Sequence, residues 1–93
     1  MTEGIFKDNA EEGRFEYHVG DLMAYATYHM NGSNMSIAYV EAPPALRGTG
    51  AAGNLMQKIM ETARERGCKV IPICSYAAAW IRRDGKFTDL LVE

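Results

Sequence analysis

Histidine and cysteine are scarce in this sequence, two of each, and neither pair is arranged for chemistry on a metal. Cys68 and Cys74 lie six residues apart with no clustered histidine near them. That fits neither a zinc-ligand pattern nor the disulfide framework of a small secreted domain. Two free thiols in a reducing, cytoplasmic compartment are expected, with no metal site. Charge of one sign is also lacking: 10 Lys and Arg against 12 Asp and Glu leave a net charge of −2. Nucleic acid or an anionic membrane surface would call for a basic surplus. No apolar run approaches the length of a membrane span. The first ten residues carry Glu3, Lys7 and Asp8 where a secretory leader would need an apolar core. Neither membrane nor nucleic acid is an expected partner.

What is present fits one globular domain over residues 1–93, with 47% hydrophobic and 24% charged residues and no room for a second core. The first half reads as antiparallel strands. Ile5-Phe6-Lys7 is short, and a polar loop follows through Gly13. Residues 14–19 then alternate, with Phe15, Tyr17 and Val19 on one face and Arg14, Glu16 and His18 on the other. Gly20-Asp21 and Asn31-Gly32 are two-residue hairpin signals on either side of a strand from Leu22 to Met30. A fourth strand, Met35 to Glu41, is stopped by Pro43-Pro44, which cannot donate to a ladder. These four strands make a meander.

The second half changes period. Ala52, Leu55, Met56, Ile59, Met60 and Ala63 recur at the spacing of one helical face, and Gly67 supplies the stop. Lys69 to Cys74 is a β-branched strand, so strand, helix and strand imply a parallel crossover. Pro72 inside that strand must leave a ladder position unpaired. A strand peeling from its neighbour tolerates this and would open a gap between the fourth and fifth strands. A second helix fits Tyr76 to Arg83, with Ala77, Trp80 and Ile81 as its apolar face and Gly85 beyond its end. Phe87 to Val92 is expected to pack back as a turn or short strand. The fold class is α+β: an antiparallel four-strand meander, then a parallel strand after a crossover helix, with two main helices.

Between the fourth strand and the first helix runs Arg47-Gly48-Thr49-Gly50-Ala51-Ala52-Gly53. Its glycines let the backbone turn tightly and approach a ligand closely. The helix start adds N–H groups without intrahelical partners and the positive end of the dipole. Together they suit a phosphate or pyrophosphate. The nucleotide P-loop is disfavoured, because Gly50-Ala51-Ala52-Gly53 has no lysine.

At these residues the chain resembles the GNAT superfamily of N-acetyltransferases, and within it the very small, single-domain members. Arg47, Gly50 and Ala52 match the superfamily's acetyl-CoA signature. The narrower likeness rests on Glu41 with Pro43-Pro44-Ala45-Leu46-Arg47-Gly48, on Val70-Ile71-Pro72 with Cys74-Ser75-Tyr76, and on Asp89-Leu90-Leu91. The chain departs from the small relatives at Tyr39-Val40, where they carry His-Thr, and at Asp84-Gly85, where they carry His-Pro. The resemblance implies a GNAT-like mixed sheet binding acetyl-CoA or coenzyme A. Its pyrophosphate would lie on Gly48, Thr49, Gly50, Ala51, Ala52 and Gly53 with Arg47, and its arm in the strand gap. The thioester would then lie near residues 39–42, Ala42 among the cofactor contacts, on one side and Cys74 to Tyr76 on the other.

Transfer to an amine needs a base, a polarised carbonyl and a stabilised leaving thiolate. Glu41 is the candidate base and Tyr76 the candidate acid, while Cys74 offers a competing route through an acetyl-cysteine. The plainer readings are a solvated carboxylate at Glu41, an inert packed thiol at Cys74, and a tyrosine that only packs at Tyr76. His18 and His29 read as surface, Trp80, Met56 and Met60 as core, and Lys58, Arg64 and Arg66 as a solvated face. The expected function is acetyl-CoA-dependent N-acetylation of a protein lysine, a chain terminus or a small amine, by a monomer or weak homodimer. The alternative is a non-catalytic acyl-CoA-binding module.

Overall fold

The protein is described from a computed structural model covering residues 4–92. Both ends of the expected 1–93 unit, Glu3 included, lie outside the described residues. The chain forms β1 (Ile5–Asn9), β2 (Arg14–Val19), β3 (Leu22–Asn31), β4 (Asn34–Glu41), α1 (Ala51–Arg66), β5 (Lys69–Pro72) and α2 (Ser75–Asp84). The strands lie in sequence order in one sheet. The first four pair antiparallel, and β5 pairs parallel with β4. This is the α+β architecture expected from the sequence. One detail differs: the polar loop before Gly13 contains a 3-10 turn at Ala10–Glu12, which the Asn9 side chain caps through the Glu12 amide.

Each hairpin forms where its turn residues allow it. Gly20 and Gly32 take φ of 59° and 63°. Val19 meets Leu22 across Gly20-Asp21 as expected. Asn31 instead stays in β3 and meets Asn34 across Gly32-Ser33, one residue later than the expected Asn31-Gly32 loop. Alternation in β2 then sends Phe15 and Tyr17 inward. Phe15 is sandwiched between Phe6, with ring centroids 5.6 Å apart, and Tyr28, at 4.2 Å. The small Ala24 and Ala26 of β3 leave space for α1, whose Leu55, Met56, Ile59, Met60 and Ala63 are fully buried. Ala77 and Ile81 of α2 join the same core. Gly67 and Gly85 end the two helices in the left-handed conformation.

The edge of the sheet next to β5 is the part that shapes the site. Thr27 pairs with Tyr39 but Tyr28 with Ile37, so β4 carries one extra residue, Ala38, as a bulge. The bulge resets the alternation. Ile37 and Val40 both face the core, and Tyr39 and Glu41 share the opposite face. β5 ends at Pro72, two residues before the expected Cys74, and its ladder stops at the Ile37–Pro72 pair. The amides of Ile73 and Cys74 both donate to the Ile37 carbonyl, each at 3.0 Å, as the chain swings into α2. From Ala38 to Glu41, β4 has no partner on that side among the described residues. The expected gap between the fourth and fifth strands is therefore present, but not for want of the Pro72 donor. The β5 amides that face β4 belong to alternate residues such as Lys69 and Ile73, and Pro72 falls between them with its nitrogen turned away. The C-terminal segment makes a 3-10 turn at Thr88–Leu90 and bridges β5 through Leu91 and Val70.

On the face away from the helices, Glu16 is only 3% exposed. It accepts hydrogen bonds from Asn9 Nδ2 at 2.8 Å and Arg14 Nε at 2.6 Å, and His18 Nε2 lies 2.8 Å from its other oxygen. Bonding to Asn9 above all, then to Arg14 and His18, outweighs burial and brings the Glu16 pKa down from 4.5 to about 2. A depressed carboxylate contributes stability that is complete above its unfolded pKa and is lost as pH falls through the folded one. Melting temperature is therefore expected to fall between about pH 4.5 and pH 2 in the wild type. Thermal scans across that window should give a flatter curve for Glu16→Gln, which starts from a lower value at neutral pH. Parallel curves would remove Glu16 from the acid response.

Candidate functional site

The gap between β4 and β5 continues into a groove floored by the start of α1 and walled by the first turn of α2. Two adjoining cavities, each of about 250 Å³, make up this groove. One is lined by Leu46, Gly48, Gly50, Ala51 and Gly53, the other by Val40 and Glu41, and both by Ala42, Arg47, Ala52 and Tyr76. Of the residues singled out in the sequence, the structure brings Glu41, Ala42, Arg47, Tyr76 and most of the glycine turn to this one groove.

The turn is built by a few local bonds. A 3-10 turn at Pro44–Leu46 carries the chain out of β4. Gly48 and Gly50 then take φ of 81° and 88°, a region that side chains disfavour. The Thr49 amide and hydroxyl both donate to the Leu46 carbonyl, and the Thr49 hydroxyl accepts from the Ala51 amide. Thr49 and Ala51 thus spend their donors inside the turn. The amides of Gly48, Gly50, Ala52 and Gly53 have no acceptor among the described residues; the first helical bond is made by Asn54 to Gly50. The four residues that carry these amides line one end of the groove, at the positive end of a sixteen-residue helix. This end can hold an anion with several oxygens.

The other end is acidic and phenolic. Two residues apart in β4, Glu41 and Tyr39 project from the same face, the one the bulge selects, and the Tyr39 hydroxyl donates to Glu41 Oε1 at 2.8 Å. That bond, more than any other influence, raises the Tyr39 pKa. Tyr25, the cross-strand neighbour of Glu41, puts its ring 6.4 Å from that of Tyr39. Arg47 spans the groove: its Nε donates to the Ala42 carbonyl at 3.1 Å and its Nη2 lies 3.6 Å from Glu41 Oε2. Tyr76 stands on the first turn of α2, and burial pushes its phenol above the ordinary value against the opposing pull of Arg83. Cys74 is the N-cap of α2; it is half-buried, packs against the core, and lies near the Tyr39 and Tyr76 phenols without lining either cavity.

Tyr39 enters the site by a contact the sequence does not assign: it marks the residue as a departure from the small relatives and places it near the expected thioester, with no role of its own. Its spacing of two from Glu41 places both on one face of a strand, which is a legible signal. Which face they share depends on the bulge at Ala38. Trp80 is half-buried rather than fully core, stacking on Phe87 with centroids 6.3 Å apart and reaching α1 at Gly53. Among the described residues, no group of three or more His, Cys, Asp or Glu is placed to hold a metal. No described helix is long and apolar enough to cross a membrane.

A model of the family described as GCN5-related N-acetyl-transferase matches residues 14–90. No curated protein matches the chain. Among solved structures, the chain is similar to the solution structure of a GCN5-like protein from Staphylococcus aureus. The two are 22% identical, the match covers 99% of this chain and 91% of that one, and the TM-score is 0.70. That likeness shows a shared fold.

Two glycine substitutions in the turn should part in sign. Gly50→Ala meets no atom within 4 Å but must hold φ of +88°, so it is expected to cost about 1–2 kcal/mol. That would lower the melting temperature by roughly 4–8 °C per kcal/mol. Gly53→Ala, at an ordinary helical position 3.4 Å from Trp80 Nε1, should be neutral or raise stability by up to about 1 kcal/mol. Equal losses in thermal melts would mean that backbone conformation does not set the turn.

Proposed function

Since the chain belongs to the GCN5-related N-acetyltransferase family, we propose that it moves an acetyl group from acetyl-coenzyme A to an amine acceptor. The observation that carries this reading is the groove itself, which runs from four unpaired amides to the carboxylate of Glu41. A pyrophosphate matches the amide end in charge and in number of acceptors. The unpaired edge of β4 from Ala38 to Glu41 offers backbone groups to an extended pantetheine arm, much as to an added strand. When bound, the thioester supplies the acetyl group and a thiol leaving group.

The chain's own residues do the rest. Glu41, 35% exposed and reachable from the open face of the sheet, takes the proton that the acceptor amine loses on attack. Tyr76 stays protonated at neutral pH, because burial raises a phenol that already titrates far above it, and it can donate to the departing sulfur. Tyr39 holds one oxygen of Glu41 and leaves the other facing Arg47 and the groove. We favour direct transfer over an acetyl-cysteine, since Cys74 packs against the core and does not line the groove. Among the described residues no helix lies on the face of the sheet that carries Tyr39 and Glu41, so the approach suits an amine carried on a larger molecule as well as a free one.

Acetyl-CoA at a hundredfold over its dissociation constant should stabilise the protein by about 2.7 kcal/mol, a shift on the order of 10 °C for a domain of this size. Ala52→Glu places a carboxylate among the free amides, at a helix start where a negative charge favours the fold. It is expected to melt at or above the wild-type temperature and to lose the acetyl-CoA shift. A wild type that does not shift, or an Ala52→Glu protein that still does, would refute the assignment of the turn. With a panel of amines, thiol release that depends on amine and falls at least tenfold in Glu41→Gln, with the shift intact, separates an enzyme from a binding module.

A further inference from the structure

Arg47 lies between the two ends of the groove and is held by the wrong one for anion binding. Its guanidinium is 64% exposed, anchored through Nε to the Ala42 carbonyl at 3.1 Å, with Nη2 3.6 Å from Glu41 Oε2. It lines both cavities. The same side chain thus stands beside the amide turn that would hold a pyrophosphate and against the carboxylate that would accept the amine's proton. A guanidinium pairs more strongly with a phosphate oxygen in good geometry than with a carboxylate across 3.6 Å. It cannot serve both at full strength.

We propose that Arg47 is a positioning residue that exchanges Glu41 for the phosphates of the bound coenzyme, so that the base becomes free only once the donor is seated. The inference rests on the proposed coenzyme site. Tyr39 donates a hydrogen bond to one oxygen of Glu41, and Arg47 stands 3.6 Å from the other. An anion on the turn draws Arg47 away and leaves Tyr39 to orient the carboxylate. No covalent step is involved. The consequence is that Glu41 and the coenzyme's phosphates compete for one cation.

Competition of this kind can be read without turnover. Coenzyme A and inorganic pyrophosphate would each be titrated by calorimetry into wild type, Glu41→Gln, Arg47→Gln and the double variant. Glu41→Gln should bind both probes more tightly, by about two- to fivefold for release of an exposed pair. Arg47→Gln should weaken both by about tenfold, the scale of one charge-assisted hydrogen bond. In the Arg47→Gln background, the gain from Glu41→Gln should vanish. A gain that persists there would be ordinary charge repulsion between Glu41 and the ligand, and would overturn the exchange. Equal affinities in wild type and Glu41→Gln would overturn it as well. The coenzyme reading fails separately: if pyrophosphate shows the pattern and coenzyme A does not bind, the exchange stands and the donor assignment falls. If neither probe binds the wild type, both fall.

Discussion

The separation of β4 from β5 beyond Ile37 is the constraint on which the rest of this structure depends. The Ile73 amide makes the ladder's last regular bond, to the Ile37 carbonyl, and the Cys74 amide then crowds onto the same carbonyl instead of the chain advancing along β4. On the other strand the bulge at Ala38 shifts the alternation at the same level. A continuous parallel pair would bury the β4 edge and leave no groove. Because the strands part, four residues of β4 keep an unpaired edge, and α2 starts close enough to place Tyr76 across from it.

The groove that results is polarised along its length by arrangements of different origin. At one end the charge is that of the backbone: amides left over where α1 begins, in a turn whose internal bonds satisfy only Thr49 and Ala51. At the other end it is the carboxylate of Glu41, turned outward by the bulge. The scaffold beneath is rigid enough to hold both, with fully buried side chains from β2, β4, α1 and α2 in one core. Its periphery is pinned by Asp8, which accepts from Tyr28 and Arg66, and by Asp89, which pairs with Arg64. Those two arginines, read from the sequence as a solvated helix face, are partly exposed but tie α1 to β1 and to the C-terminal segment.

Most of the fold was legible because it is written in short-range terms. The alternation of residues 14–19, the turn chemistry of Gly20 and Gly32, the 3.6-residue period from Leu55 to Ala63 and the glycine stop at Gly67 each act within one element. They appear where the sequence places them, except that the second turn falls one residue later, at Gly32-Ser33. The end of β5 came two residues early, since its length depends on how far the β4 edge can follow it. Glu16 lies on the polar side of β2, yet it is buried, because Asn9, Arg14 and His18 close over it from three positions along the chain. Periodicity separates faces and does not tell what a neighbouring strand will cover.

By itself the sequence determined the element order, the meander, the crossover and the presence of a glycine turn at a helix start, all consequences of local conformational preference and apolar period. It also named Glu41 and Tyr76 as groups of suitable chemistry. Only the tertiary structure decided that they face one groove, that Tyr39 stands at the side of Glu41, that Cys74 packs away from the lining, and that Arg47 bridges the two ends. These depend on a one-residue bulge and a strand separation of a few ångströms. Such features are settled by the packing of β4, β5 and α2 against each other, which no single stretch of the chain encodes.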